Sequence, residues 1–248
     1  WRTTLRNEIG KYTNKISALK LEKRQLTLNT LIIGEEGSGK TNLACKLRNF
    51  AIDSSVPTFY MDFSDSFEDN IELRYKDKDF NYIKFEESAE FEEEFQKLVD
   101  ARKHIYMAVN PKYFSNKKDE RSRLSATIAK VELLENYYYF FHDIENLNGF
   151  YTKFEDFLLY MLSLMNMQKY GFTFLAQPHA IFESQQIKLL FSFLYLGKCS
   201  NLNYFNTAVL KTFNKNKFYY QFRKDSPTLL FNSIKSEIVN IDEYIIEE

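Results

Sequence analysis

Cysteine is almost missing from this chain of 248 residues: Cys45 and Cys199 are the two. Neither belongs to a CxxC pair or sits at a Cys/His ligand spacing, so both read as reduced, buried thiols of a cytoplasmic protein. Histidine is as sparse, with three scattered residues, which argues against a zinc site. No apolar stretch reaches the length of a transmembrane helix, and no signal peptide is visible. Neither sign of charge dominates, with 33 Lys and Arg against 34 Asp and Glu. A net charge of −1 neither demands nor excludes nucleic acid, so any polyanion site must be a local patch. Glycine is scarce, and there is no internal repeat or low-complexity linker. What the chain has in plenty is Phe (24) and Tyr (17), within a hydrophobic content of 44%. That is enough for a substantial core and excludes a disordered chain. The sequence opens on Trp1 rather than methionine, which fits a fragment or processed form and leaves room for an anchor or domain upstream.

Residues 2 to 25 are polar and Lys/Arg-rich, with Leu5, Ile9, Tyr12, Ile16, Leu19 and Leu21 at helical intervals. The spacing predicts an amphipathic lead-in helix over 1–25, followed by one domain over 26–248. Within that domain apolar strands alternate with helices. Strands are expected at 26–33, 58–63, 82–85, 104–109, 137–141, 171–176 and 191–196, and helices at 41–51, about 86–100, 122–135 and 153–167. A late hairpin should pair 217–223 with 228–232 across a Lys-Asp-Ser-Pro turn. This alternation implies an α/β fold, with a mostly parallel central sheet flanked by helices.

Three of the seven glycines fall together, in Gly34-Glu-Glu-Gly37-Ser38-Gly39-Lys40-Thr41. This is the G-x-x-x-x-G-K-[ST] phosphate loop. Its glycines let successive amides turn inward onto phosphate oxygens, and the helix that follows presents its positive end to the same anion. Lys40 would reach the β- and γ-phosphates and the Thr41 hydroxyl would ligate Mg²⁺. Gly34, Gly37, Ser38, Gly39, Lys40, Thr41 and Asn42 are the nucleotide-binding candidates. Glu35 and Glu36 fill variable positions and are expected in solvent. An apolar strand before the loop and an amphipathic helix after it complete the context of a P-loop nucleoside triphosphatase.

Such a loop needs an acid at the end of a neighbouring strand to hold Mg²⁺ through water, and commonly a second carboxylate to activate the attacking water. Tyr137-Tyr-Tyr-Phe-Phe-His-Asp143-Ile-Glu145 offers both, Asp143 on the metal side and Glu145 as catalytic base. If the strand ran through them, their spacing would put both carboxylates on one side. Gln177, at the end of the next apolar strand, is placed to sense the γ-phosphate or orient water. Arg121 and Arg123 lie in a basic stretch and are candidates for an arginine finger acting in trans, Arg123 the preferred one. Asn116-Lys-Lys-Asp119 matches a guanine-reading motif, but no buried strand runs into it and it precedes the acidic strand, so adenine is the expected base.

The order of phosphate loop, a strand ending Tyr60-Met-Asp62-Phe-Ser-Asp65, the acidic strand and Phe172-Thr-Phe-Leu-Ala-Gln177-Pro178 resembles the FtsK/HerA superfamily of DNA-pumping ATPases. The likeness spans roughly residues 26 to 234 and takes in the late hairpin. This chain departs from the family in its split Asp-Ile-Glu and in Ala-Gln-Pro-His, where the family commonly has Thr-Gln-Arg-Pro. The resemblance implies a RecA-like core in a homo-hexameric ring, with ATP bound between subunits and double-stranded DNA moved through the pore. Basic segments 112–123 and 211–224 would then contact DNA phosphates. A second reading is a nucleotide-dependent switch or assembly module with little turnover, which Ile144 and the acidic run 86–94 favour. A third, a kinase or other metabolic P-loop enzyme, fits the long spacing to the acidic strand poorly.

Overall fold

The computed structural model describes residues 8–13, 18–64, 80–85, 88–110, 136–150, 154–165, 169–200, 208–222 and 235–242. Among these, eleven strands form one sheet. In chain order they are β1 Glu8–Tyr12, β2 Ala18–Lys20, β3 Thr30–Ile33, β4 Thr58–Asp62, β5 Phe80–Lys84, β6 His104–Ala108, β7 Tyr138–His142, β8 Phe172–Ala176, β9 Phe193–Leu196, β10 Lys217–Phe222 and β11 Lys235–Ile241. Across the sheet the order is β2-β1-β11-β10-β9-β3-β8-β7-β4-β6-β5. From β9 to β5 every pairing is parallel, so the carboxyl ends of these strands lie along one edge. The strands from β10 to β2 extend the sheet by antiparallel pairing.

Four helices pack on the sheet among the described residues: α1 Lys40–Asp53, α2 Ala89–Asp100, α3 Phe154–Met165 and the short α4 Gln185–Leu189. Alternate strand residues feed two cores, as both-sided burial of a parallel sheet requires. Ile32, Tyr60, Tyr138 and Phe140 meet Leu43, Ala44 and Leu47 of α1 on one face. Leu31, Phe59, Tyr139 and Phe174 meet Phe91 and Phe95 of α2, and Leu158 and Leu162 of α3, on the other. The aromatic surplus is spent here. Tyr106, Tyr60 and Phe140 stack in register across β6, β4 and β7, with centroids 4.9 and 5.3 Å apart. Phe95 meets Phe59 edge-on at 5.8 Å.

Two expectations change. The lead-in helix is not formed: its described residues make β1, β2 and a 3-10 turn at Lys23–Leu26. Tertiary pairing overrides a helical spacing of apolar residues, because β1 lies between β2 and β11 and buries Ile9. Gly10 carried the contrary signal, as a poor helix former. In the sheet it passes so close to β11 that a Cβ would sit 2.1 Å from the Asn240 carbonyl oxygen. The partner of β10 is β11, with Phe218 opposite Val239; the arm expected at 228–232 and its turn lie outside the described residues, as does the helix at 122–135. The remaining expected strands and helices form, with ends shifted by a few residues at most places and β3 starting at Thr30 rather than Leu26.

Candidate functional site

The phosphate loop leaves β3 at the carboxyl edge and enters α1. Gly37 and Gly39 have φ of 72° and 96°, a region that side chains strain to enter. A Cβ at Gly37 would meet nothing within 4 Å, whereas one at Gly39 would lie 2.2 Å from Asn216 Oδ1. Lys40 is buried, and its ammonium donates to the carbonyls of Gly34 at 2.7 Å and Glu35 at 3.2 Å. Ser38 Oγ is shielded from solvent and makes no hydrogen bond.

The loop is braced from behind. The Asn216 amide donates to the Ser38 carbonyl at 2.9 Å, and the Ile241 amide to the Asn216 carbonyl at 2.8 Å. Asn42 Nδ2 donates to Asn216 Oδ1 at 3.2 Å and to the Asp242 carbonyl at 2.9 Å. Asn42, expected among the nucleotide-binding residues, thus faces the end of β11. Glu35, expected in solvent, accepts from the amide and hydroxyl of Ser200, the hydroxyl at 3.0 Å, while its own amide donates to Lys198. Glu36 is exposed.

The acidic strand β7 is not next to β3: β8 lies between them and brings Gln177 with it. β7 also ends earlier than two aligned carboxylates require. Asp143 leaves the strand at φ 53°, and Ile144–Phe150 is a 3-10 helix. The carboxylates therefore do not alternate along an extended strand; the turn at Asp143 sets their relation. The Asp143 amide donates to Leu175 at 2.8 Å, and its carbonyl accepts from Asn146 at 3.0 Å. Glu145 Oε1 accepts from the Gln177 amide at 2.6 Å. Gln177 thus meets Glu145 through its main chain, and its side chain is exposed. Asp143 Oδ1 and Glu145 Oε2 are shut from solvent without a hydrogen bond.

Burial, then the Asp143 charge, push the Glu145 carboxyl well above its usual range, against the pull of the Gln177 amide and of the Lys40 charge. Lys40 opposes the protonated form of His142 as well, so the loop lysine and the acidic turn share one field.

Sequence reasoning did not find the groups behind Asp143. Asp62, at the end of β4, accepts from the Ser64 amide at 2.8 Å and from the Tyr106 hydroxyl. His142 is buried between Asp62 and Asp143, 3.6 Å from each. Burial pushes the Asp62 carboxyl up, but His142 and these hydrogen bonds outweigh it and hold the group down at about 2. Burial likewise opposes the charged imidazole, and the two carboxylates overcome it, raising His142. A strand-end acid such as Asp62 was the signal available; the pairing of β4 with β7 was not readable.

Among the described residues no three His, Cys, Asp or Glu side chains converge as a metal cage. Mg²⁺ does without one, keeping waters and substrate phosphates beside one or two protein oxygens. The residues present fit MgATP on three counts: a glycine-lined cradle, a buried lysine, and unbonded oxygens on Ser38, Asp143 and Glu145. Arg121, Arg123 and the basic segment 112–123 lie outside the described residues. Of the segment 211–224, Lys211 and Lys215 are exposed, and Lys217 lies 5.2 Å from the Phe213 ring centroid. No described helix is long and apolar enough to cross a membrane. Cys45 and Cys199 are buried and form no disulfide.

No protein-family model and no curated protein matches the sequence. Solved structures do match. One is the pCW3 conjugation coupling protein TcpA, in a monomer form with ATPγS: 14% identity, TM-score 0.50, over 94% of this chain and 64% of that one. Another is Thermomonospora curvata EccC (ATPases 2 and 3), bound to a signal sequence peptide: 13% identity, TM-score 0.56, over 99% and 42%. The DNA-packaging ATPase B204 of Sulfolobus Turreted Icosahedral Virus gives 12% identity and TM-score 0.55, over 86% of this chain and 98% of that one. The chain thus spans less than two thirds of the first two proteins and nearly the whole of the third. The chain has the α/β fold of these P-loop ATPases.

Proposed function

We propose that this chain is an ATP-hydrolysing motor that translocates or packages double-stranded DNA, working as a homo-oligomeric ring, a hexamer. The observation that supports it most is a convergence: phosphate cradle, buried lysine, two carboxylates and Gln177 share one sheet edge, in a fold matching nearly all of a DNA-packaging ATPase.

The loop amides and Lys40 bind the phosphates, and the N-terminus of α1 faces the same charge. Thr41 and Asp143 would hold Mg²⁺, Asp143 through water, and the ion would supply neutralisation of phosphate charge there. Glu145 takes a proton from water as its oxygen attacks the γ-phosphorus and the bond to the bridging oxygen breaks, releasing ADP. Burial suits this role, since a base works best with its proton affinity near the working pH. The Gln177 amide fixes Glu145, and its side chain senses the γ-phosphate. Arg123 reaches the site of a neighbouring copy, and the base is adenine. The basic segments touch DNA phosphates.

A second reading, a nucleotide-dependent switch with little turnover, draws on Glu145 itself. One of its oxygens is committed to Gln177, and the raised proton affinity leaves less of the carboxyl ionised, and so able to take a proton, at neutral pH. Steady-state ATP hydrolysis with and without double-stranded DNA, with Lys40→Ala as control, separates the two. The motor reading expects several-fold stimulation by DNA that the variant loses. Tight ATP binding without turnover in either condition would overturn it and favour the switch.

A further inference from the structure

Behind the acidic turn lies a buried polar row of which the chemistry above uses only Asp143. Asp62, His142 and Asp143 are 3%, 5% and 9% exposed. Two carboxylates this deep are costly unless something neutralises and hydrogen-bonds them. Asp62 is fully engaged: Ser64 and Tyr106 donate to its two oxygens. That makes it a fixed point on β4. His142 turns Nδ1 toward it, with the Tyr60 hydroxyl 3.3 Å away and the Tyr60 ring edge-on at 6.0 Å. Its other nitrogen, Nε2, faces Asp143 Oδ1, an oxygen with no hydrogen bond. The imidazole therefore links an anchored carboxylate to an unanchored one.

We infer that His142 is a positioning residue: it sets the Asp143 carboxylate for Mg²⁺, and Asp62 with Tyr60 and Tyr106 sets His142. Outer-shell partners fix the direction of a ligand oxygen, and their loss typically weakens a metal about 10–100-fold; because Asp143 acts through water, the lower end of that range applies to His142. The usual order is reversed here, since the carboxylate faces the cation and the imidazole stands behind it. The inference rests on the metal-side reading of Asp143.

The test titrates MgCl₂ against the chain and a fluorescent ATP analogue, and measures binding of the same analogue in EDTA. His142→Asn should raise the Mg²⁺ midpoint roughly tenfold and leave binding in EDTA unchanged. His142→Gln, whose amide nitrogen reaches the place of Nε2, should restore the midpoint to within about threefold. A packing role alone would move both variants and both readouts together. Asp62→Asn, isosteric, carries the same expectation and decides the matter if His142→Asn does not fold. A wild-type midpoint in His142→Asn or Asp62→Asn, with Asp143→Asn shifted, overturns the positioning role alone. A wild-type midpoint in Asp143→Asn overturns the metal-side reading and this inference with it.

Discussion

Gly37→Ala and Gly39→Ala make the same chemical change two residues apart in one loop, and the structure assigns them different costs. Both residues have positive φ, so each alanine bears the left-handed penalty of about 1–2 kcal/mol. At Gly37 nothing else opposes the methyl group. At Gly39 it would fall 2.2 Å from Asn216 Oδ1 and 2.9 Å from the Asn216 nitrogen. The side chain can swing away; the nitrogen cannot, because it is bonded to the Ser38 carbonyl. The total at Gly39 should therefore reach about 3 kcal/mol, adding overpacking to strain. Thermal unfolding would show midpoint losses of about 2–8 °C for Gly37→Ala and about 6–12 °C for Gly39→Ala at this chain length. Asn216→Gly, which suits φ 65°, should recover part of the Gly39→Ala loss in the double variant, since it removes the nearer clash. Equal losses at the two glycines, or strict additivity in the double variant, would refute the brace behind the loop.

Other parts of the fold give independent checks. Ser88 caps α2 by accepting from the Phe91 amide at 3.1 Å, so Ser88→Ala should cost about 1 kcal/mol in denaturant unfolding. Tyr138 and Thr173 share a buried 2.7 Å hydrogen bond between β7 and β8. Tyr138→Phe should cost about 1–3 kcal/mol by stranding Thr173, and adding Thr173→Val should cost less than the sum of the single changes. Asp62, held down from 3.8 to about 2, contributes stability that is present above its unfolded value and lost as pH falls through the folded one. Asp62→Asn should thus be less stable than wild type by about 2 kcal/mol at neutral pH, the gap closing between about pH 4 and pH 2. A gap independent of pH in denaturant titrations would contradict that account.

The phosphate loop was legible because it is local: three glycines, a lysine and a threonine carry its geometry within eight residues. The parallel core was legible for a related reason, since both-sided burial writes unbroken apolar runs such as Tyr137 to Phe141 into the sequence. What could not be read depends on which strands become neighbours. The Asp62–His142 contact needs β4 beside β7. The meeting of Glu145 with the Gln177 amide needs β7 beside β8, and a turn at Asp143 that no side-chain pattern announces. At β1 the apolar spacing suited a helix, and only the pairing with β11, chosen elsewhere in the chain, made it a strand.

That pairing has a consequence for how the protein comes into being. β1 and β11 are joined through Gly10 and Ile241, about 230 residues apart, and β11 delivers the amide that holds Asn216, while the residue just after it delivers the carbonyl that holds Asn42. During synthesis the loop sequence leaves the ribosome long before its brace does, and joining so distant a pair is among the slowest steps a chain takes. The phosphate loop of a growing chain therefore waits, without its brace, until β11 arrives. Arrival of β11 is in this sense the event that completes the phosphate loop's support.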